Sequence, residues 1–138
     1  MKEPFHLGPG SGLPGWMEEL DRRCFGESWG TLAGHEQAWG STGEAFAIWS
    51  INAVAQEAEL LRVAVDPDLR GRGLGREMLE ACEAEWMRMG IRTLLLEVRV
   101  SNLPARRLYE AAGWKPKGLR KAYYKDGEDA ALYGRQLG

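Results

Sequence analysis

The sequence predicts a single α+β domain over residues 1–138. Two strand-like runs, "AFAIWSI" and "EAELLRVAV", follow one another with only a short break, as antiparallel neighbours do. The hydrophobic period then changes to that of helices, interrupted by one more strand, and the chain closes on a run with a hairpin turn signal. The order is thus helices, antiparallel-looking strands, then a strand–helix–strand–helix core and a hairpin.

A short strand around Phe5 leads into the glycine-rich loop "LGPGSGLPGW". Pro14 suits the first turn of a helix carrying Trp16, Leu20 and Cys24 at fourfold spacing. From Trp29 to Trp39 the pattern is ambiguous and admits one more short helix, ending before "GSTGE". The two strand-like runs come next, the second closed by the turn signal "DPD". Between Gly73 and Met89, the residues Met78, Leu79, Cys82, Trp86 and Met89 form one helical stripe, and Gly90 is a ready C-terminal cap. A strand through Leu94–Val100 follows. Ser101-Asn102 then opens a helix with Pro104 in its first turn and Gly113 at its close. Finally "LRKAYYKDGEDAALYGRQL" reads as a hairpin turning at Asp126-Gly127.

Composition excludes several classes of function. A chain of 138 residues can bury a core without disulfides or metal, and 44% apolar with 28% charged residues is an ordinary globular balance. A net charge of −2 gives no footprint for nucleic acid or an anionic membrane. Cys24 and Cys82 form no metal-ligand or redox spacing, and His6 and His35 have no partners at ligand spacing, so no metal site is assigned. No apolar run approaches a membrane span and the first residues lack the apolar core of a signal peptide, so the cytoplasm is the expected location.

One residue breaks the pattern. In "RTLLLEVRVSN" the carboxylate of Glu97 interrupts a run that otherwise reads as buried. An unpaired buried carboxylate costs several kcal/mol, so Glu97 must face solvent, pair with Arg99 or a neighbouring strand's cation, or serve a purpose. Alternation puts Thr93, Leu95, Glu97 and Arg99 on one face and Leu94, Leu96, Val98 and Val100 on the other.

The sharpest motif is "DPDLRGRGLGREML", which follows a strand and runs straight into a helix. Gly71, Gly73 and Gly75 allow a ligand close to the backbone, and the helix start aims free N–H groups at the same place. Such a junction is an anion site, and Arg70, Arg72 and Arg76 add fixed positive charge. The dinucleotide fingerprint is a near miss. Gly71 and Gly73 fit it, and Glu97 stands near the expected acidic position, but Arg76 occupies the third glycine position. A nucleotide triphosphate loop is excluded because no Gly-Lys-Ser/Thr follows the glycines.

Arg70-Gly71-Arg72-Gly73-Leu74-Gly75 has the form Arg/Gln-x-x-Gly-x-Gly/Ala and resembles the pyrophosphate signature of the GNAT acetyltransferases. Within that superfamily, "LLRVAVDPDLRGRGLGREMLE", "TLLLEVRVSNLPARRLYEAAGW" and "RKAYYKDGEDAALY" resemble successive blocks of the RimI-type enzymes, which acetylate the N-terminus of a ribosomal protein. The resemblance is continuous from about Glu57 onward and looser before it. There "DRRCFGESWG" echoes the family's segment with Ser28 in place of a favoured proline, and the first hairpin looks shortened.

The resemblance implies the GNAT fold: a mixed, mostly antiparallel twisted sheet, a splay between its two central strands, and helices on both faces. It implies acetyl-CoA as co-substrate. Val63, Ala64 and Val65 would offer backbone groups to its pantetheine arm, the amides from Gly71 to Arg76 would hold its pyrophosphate, and Asn102 would bond it near the thiol. Glu97 falls on the family's general base and Tyr109 on its general acid. Tyr123, Tyr124 and, more remotely, Trp29 would contact the acceptor. By periodicity alone Tyr109 is a core residue on the stripe Ala105, Leu108, Ala112, and Tyr123 and Tyr124 are strand aromatics facing opposite ways.

These roles suit amine acetylation. An α-amine is mostly protonated at neutral pH and must lose that proton before it can attack, which a positioned carboxylate makes possible. A phenol can protonate the departing thiolate, and free amides can polarise the thioester carbonyl. No nucleophilic cysteine or serine is required. Acetylation of a protein N-terminus, with alanine of ribosomal small-subunit protein eighteen as the usual acceptor, is the reading the resemblance implies. Acetylation of lysine or a small amine, and a non-catalytic acetyl-CoA or dinucleotide-binding module, are the alternatives.

Overall fold

A computed structural model describes residues 1–138. Seven strands form one sheet in the order β1-β2-β3-β4-β5-β7-β6, with β1 Phe5–Leu7, β2 Glu36–Ser41, β3 Ala45–Asn52, β4 Glu57–Val65, β5 Thr93–Arg99, β6 Lys115–Arg120 and β7 Ala130–Gln136. Every neighbouring pair is antiparallel except β4 with β5. Helix α1, Gly15–Phe25, covers one face, while α2, Leu74–Arg88, and α3, Leu103–Ala111, serve the other. The mixed, mostly antiparallel sheet expected from the sequence is the one observed.

Two apolar clusters fill the two sides. Under α2 and α3, Met78, Leu79, Cys82 and Trp86 meet Trp49, Leu94, Leu96, Trp114 and Tyr133. Under α1, Met17 and Leu20 meet Phe46, Ile48 and Ala64. The stripe predicted for α2 is therefore the core face, except that Met89 lies beyond the helix and is exposed. Gly90 ends α2 in the left-handed conformation, at φ +83°. Asn102 opens α3 as a side-chain cap, accepting from the Ala105 amide.

Three expectations need correction. No helix lies between Trp29 and Trp39; Glu36–Ser41 is instead strand β2, paired from Glu36↔Ser50 to Ser41↔Ala45, so the first hairpin is not shortened. The last hairpin is wider than read: β6 begins at Lys115, and the connection over 121–129 carries Asp126-Gly127 as a local turn within it. Tyr123 and Tyr124 consequently sit in a loop, packed edge to face at 5.1 Å, and are not strand residues.

The feature that positions the site lies in β4. Trp49 faces Leu60 and Ile48 faces Arg62, so Leu61 is an extra residue, a β-bulge. Pairing with β5 ends at the same point, at Leu60↔Leu96. Beyond it, Leu61–Val65 and Glu97–Arg99 diverge while each keeps its outer partner strand. The two central strands splay.

Candidate active site

The splay opens into a cleft of about 820 Å³ that continues along the glycine loop to the start of α2. Val63, Ala64, Val65, Arg70, Gly71, Gly73, Leu74, Gly75, Arg76, Glu97, Asn102, Tyr109 and Tyr124 line it; Arg72, Trp29 and Tyr123 do not. Cys24, Phe25, Arg62 and Arg99 line it as well, four residues that sequence reasoning did not single out as site residues.

The glycine loop presents a row of backbone donors without backbone partners. None of the amides from Arg70 to Arg76 donates to a backbone acceptor, and Glu77 is the first residue of α2 to do so, to the Gly73 carbonyl. Gly71 and Gly73 adopt φ +80° and +79°, and a Cβ built on either meets only open space. Their backbone conformation favours glycine, and the neighbouring amides are left open to approach. Gly75 differs from the expectation. A Cβ there would lie 3.2 Å from Leu108 and 3.5 Å from Val65, so Gly75 lets α2 approach α3 and the sheet. Arg76 is engaged by Glu80 at 2.9 Å within its own helix.

Glu97 lies on the face opposite the buried Leu94, Leu96 and Val98, as alternation requires, with its side chain 20% exposed. Its ion-pair partner is Arg120 of β6 at 3.5 Å, not Arg99. The Tyr123 phenol is pushed above the usual phenol range chiefly by the neighbouring Glu97 carboxylate. Burial pushes the Tyr109 phenol up to about 12, with a smaller contribution from the neighbouring Tyr124. Tyr109 therefore stays protonated at any working pH. Its ring also packs in the core with Trp114 and Tyr133, so the periodic reading and the functional one describe the same residue.

The loop over 121–129 is held from β5 chiefly by one arginine. Arg99 reaches Asp126 at 2.9 Å and Glu128 at 3.0 Å, and its guanidinium stacks 4.0 Å above the Tyr124 ring. Glu128 also accepts from the Ser101 amide at 2.9 Å, and Asp129 from the Ala122 amide at 2.8 Å. Across the cleft, the loop after α1 is held by buried carboxylates. Asp21 accepts from the Trp29 amide at 2.6 Å, and Glu36 accepts from the Trp29 indole at 3.2 Å and the Ala33 amide at 2.7 Å. Trp29 is thereby held with its ring 5.0 Å from the Arg62 guanidinium.

A parallel pair that parts at a bulge, beside a helix start with seven free amides, is the arrangement that the resemblance to the GNAT acetyltransferases implies. Residues 13–114 match the acetyltransferase (GNAT) family. The chain belongs to that family. Among GNAT relatives, it is 44% identical over 90 residues to the ribosomal protein bS18-alanine N-acetyltransferase of Escherichia coli, covering 64% of this chain and 60% of that relative. The sequence match thus spans about 60% of that relative's length. In structure it resembles the crystallised ribosomal-protein-S18-alanine N-acetyltransferase from Escherichia coli, with a TM-score of 0.75 and 30% identity over 99% of this chain and 95% of that one. Nourseothricin acetyltransferase superposes with a TM-score of 0.68 and 26% identity, over 75% of this chain and 66% of that one. One fold therefore serves acceptors of quite different chemistry, and the cleft, not the frame, selects among them.

Proposed function

We propose that this chain transfers the acetyl group of acetyl-CoA to the α-amine of a protein N-terminus. The first candidate acceptor is the N-terminal alanine of ribosomal protein bS18, for which the Escherichia coli relative is named. The observation that carries the reading is Glu97 standing at the splay, on the cleft face, beside a run of free amides.

The donor set fits the cofactor. Free amides at Gly71–Arg76, the start of α2 and the charge of Arg70 suit a pyrophosphate. The strand groups of Val63, Ala64 and Val65 suit an extended amide-bearing arm, and the side-chain amide N–H groups of Asn102 remain available while its oxygen caps α3. Bound there, acetyl-CoA supplies an activated acyl thioester. Glu97 accepts the proton of the incoming ammonium, directly or through a water, and releases a neutral amine. Tyr109, held protonated by burial, offers its O–H to the departing sulfur as a hydrogen-bond donor. Tyr124 forms the wall along which the acceptor enters, with Tyr123 packed edge to face behind it at the mouth, both placed by the loop that Arg99 holds.

Mass spectrometry of peptides incubated with the protein and acetyl-CoA tests the proposal. Peptides with a free N-terminal alanine should gain one acetyl group at the α-amine. The same peptides with a blocked N-terminus and an internal lysine should be poor acceptors. Modification confined to lysine side chains or polyamines would overturn the acceptor and leave the family standing.

A further inference from the structure

Arg62 brings a charge to the cleft that none of the chemistry above uses. The bulge at Leu61 turns Arg62 onto the α1 face, the same face that carries Glu97. Because pairing with β5 ends at Leu60↔Leu96, the bulge stands across the splay from Glu97. The guanidinium there is fixed on several sides. Its Nη1 donates to Asp21 at 2.9 Å, and Asp21 is fully buried. Its central carbon lies 4.1 Å from the centre of the Phe25 ring and 5.0 Å from that of Trp29.

One nitrogen is thus engaged, while the others find no acceptor in the chain and are not sealed from solvent. Arg62 lines the cleft, and these remaining N–H groups are free of protein acceptors. A fixed donor opposite a base calls for an acceptor atom close to the reacting amine. An N-terminal residue has one, since its carbonyl is attached to the carbon that bears the amine. A lysine side chain or a polyamine has only methylenes at that distance.

Resting on the reading of this cleft as an amine-acetylation site, we propose that Arg62 is the acceptor anchor. It donates to the first peptide carbonyl and turns the α-amine toward Glu97, so that the recognised class is an α-aminoacyl group and not an amine in general. Its charge also works against polyamines, because a second ammonium would be repelled by a fixed cation. Asp21 is the positioning residue behind it, holding the guanidinium in place by a buried, charge-assisted bond.

The test compares two acceptors, an N-terminal-alanine peptide and n-butylamine, in wild type, Arg62→Gln and Arg62→Lys. With Arg62→Gln the peptide KM should rise roughly tenfold, the worth of one charge-assisted hydrogen bond. Turnover at saturation, the thermal shift given by CoA and kcat/KM for butylamine should change less than about twofold. Arg62→Lys should recover part of the peptide KM. The double variant Asp21→Asn/Arg62→Gln leaves no lone buried carboxylate and keeps the comparison open if the single variant misfolds. Equal losses on peptide and butylamine, or no loss on either, would overturn the anchor while leaving N-terminal acetylation intact. A wild type that prefers butylamine or lysine to peptide N-termini would overturn both.

Discussion

The two ends of the cleft are built from different material. At the glycine loop the functional groups are backbone: free amides from Arg70 to Arg76, presented by two left-handed glycines and the first turn of α2. At the other end they are side chains, and each is held by charge. Arg99 holds the loop of Tyr123 and Tyr124, and Asp21 holds Arg62 and the Trp29 amide. A backbone site binds whatever carries the right anion and tolerates change everywhere except in its conformation. A side-chain site is specific, and it loosens when any member of its network is lost. The difference predicts that mutations at one end should act on the cofactor and mutations at the other on the acceptor.

The largest effect belongs where the two ends meet. Glu97→Gln keeps the shape of the side chain and removes its basicity, so turnover should fall by roughly 10²–10⁴, the usual worth of a positioned proton acceptor. Stabilisation by CoA should be unchanged. Full turnover in this variant, measured by thiol release at saturating peptide, would make Glu97 a structural partner of Arg120 and nothing more.

Next in size is the backbone end. Gly73→Val forces a β-branched residue to φ +79° and fills the open space beside the free amides. Wild type should gain about 2.7 kcal/mol from CoA at a hundredfold excess over Kd, and the variant almost none. NAD should stabilise neither. Gly75→Ala sharpens the contrast, because its Cβ would press on Leu108 at 3.2 Å. It should cost stability with or without CoA while leaving the CoA-induced shift largely in place. A variant at Gly75 that loses CoA binding and keeps its stability would contradict the packing role.

At the side-chain end, Arg99→Ala removes the ion pairs to Asp126 and Glu128 and the stack on Tyr124 together. The peptide KM should rise by roughly three- to tenfold, because exposed ion pairs are individually worth less than about 1 kcal/mol and act here as a group. Turnover and the CoA-induced shift should stay near wild type. A loss of CoA binding instead would mean that the loop serves the cofactor end.

This division also explains what could be read from the sequence. The backbone end was legible because φ-positive glycines and a helix start leave a local signature, and Glu97 was legible because strand alternation is local too. What failed was long-range. Strand β2 carries weak alternation in "EQAWGS" and owes its identity to pairing with β3. Nothing in "ELLRV" marks Leu61 as a bulge, so the orientation of Arg62 could not be anticipated. Asp126-Gly127 was a true turn signal, but Arg99, from another strand, decides that the turn sits inside a broad loop. The Asp21–Arg62 pair joins residues 41 positions apart and leaves no mark in either segment.

The smallest effect concerns Tyr109, which belongs to the core and the cleft at once. Its phenol is held at about 12 mainly by burial. An unfolded tyrosine titrates near 10, so the fold favours the neutral phenol. The stabilising contribution is fully present below about pH 10 and is lost as pH rises through about 12. At pH 11 the difference amounts to about 1 kcal/mol. Tyr109→Phe has no phenol to ionise, so its urea midpoint should fall less than that of wild type between pH 9 and pH 11. Other tyrosines and lysines titrate in both proteins and cancel in the comparison. If the two curves fall in parallel, Tyr109 reaches water freely in the folded chain. Its O–H would then be a proton source exchanging with solvent, and not the fixed donor that burial makes of it.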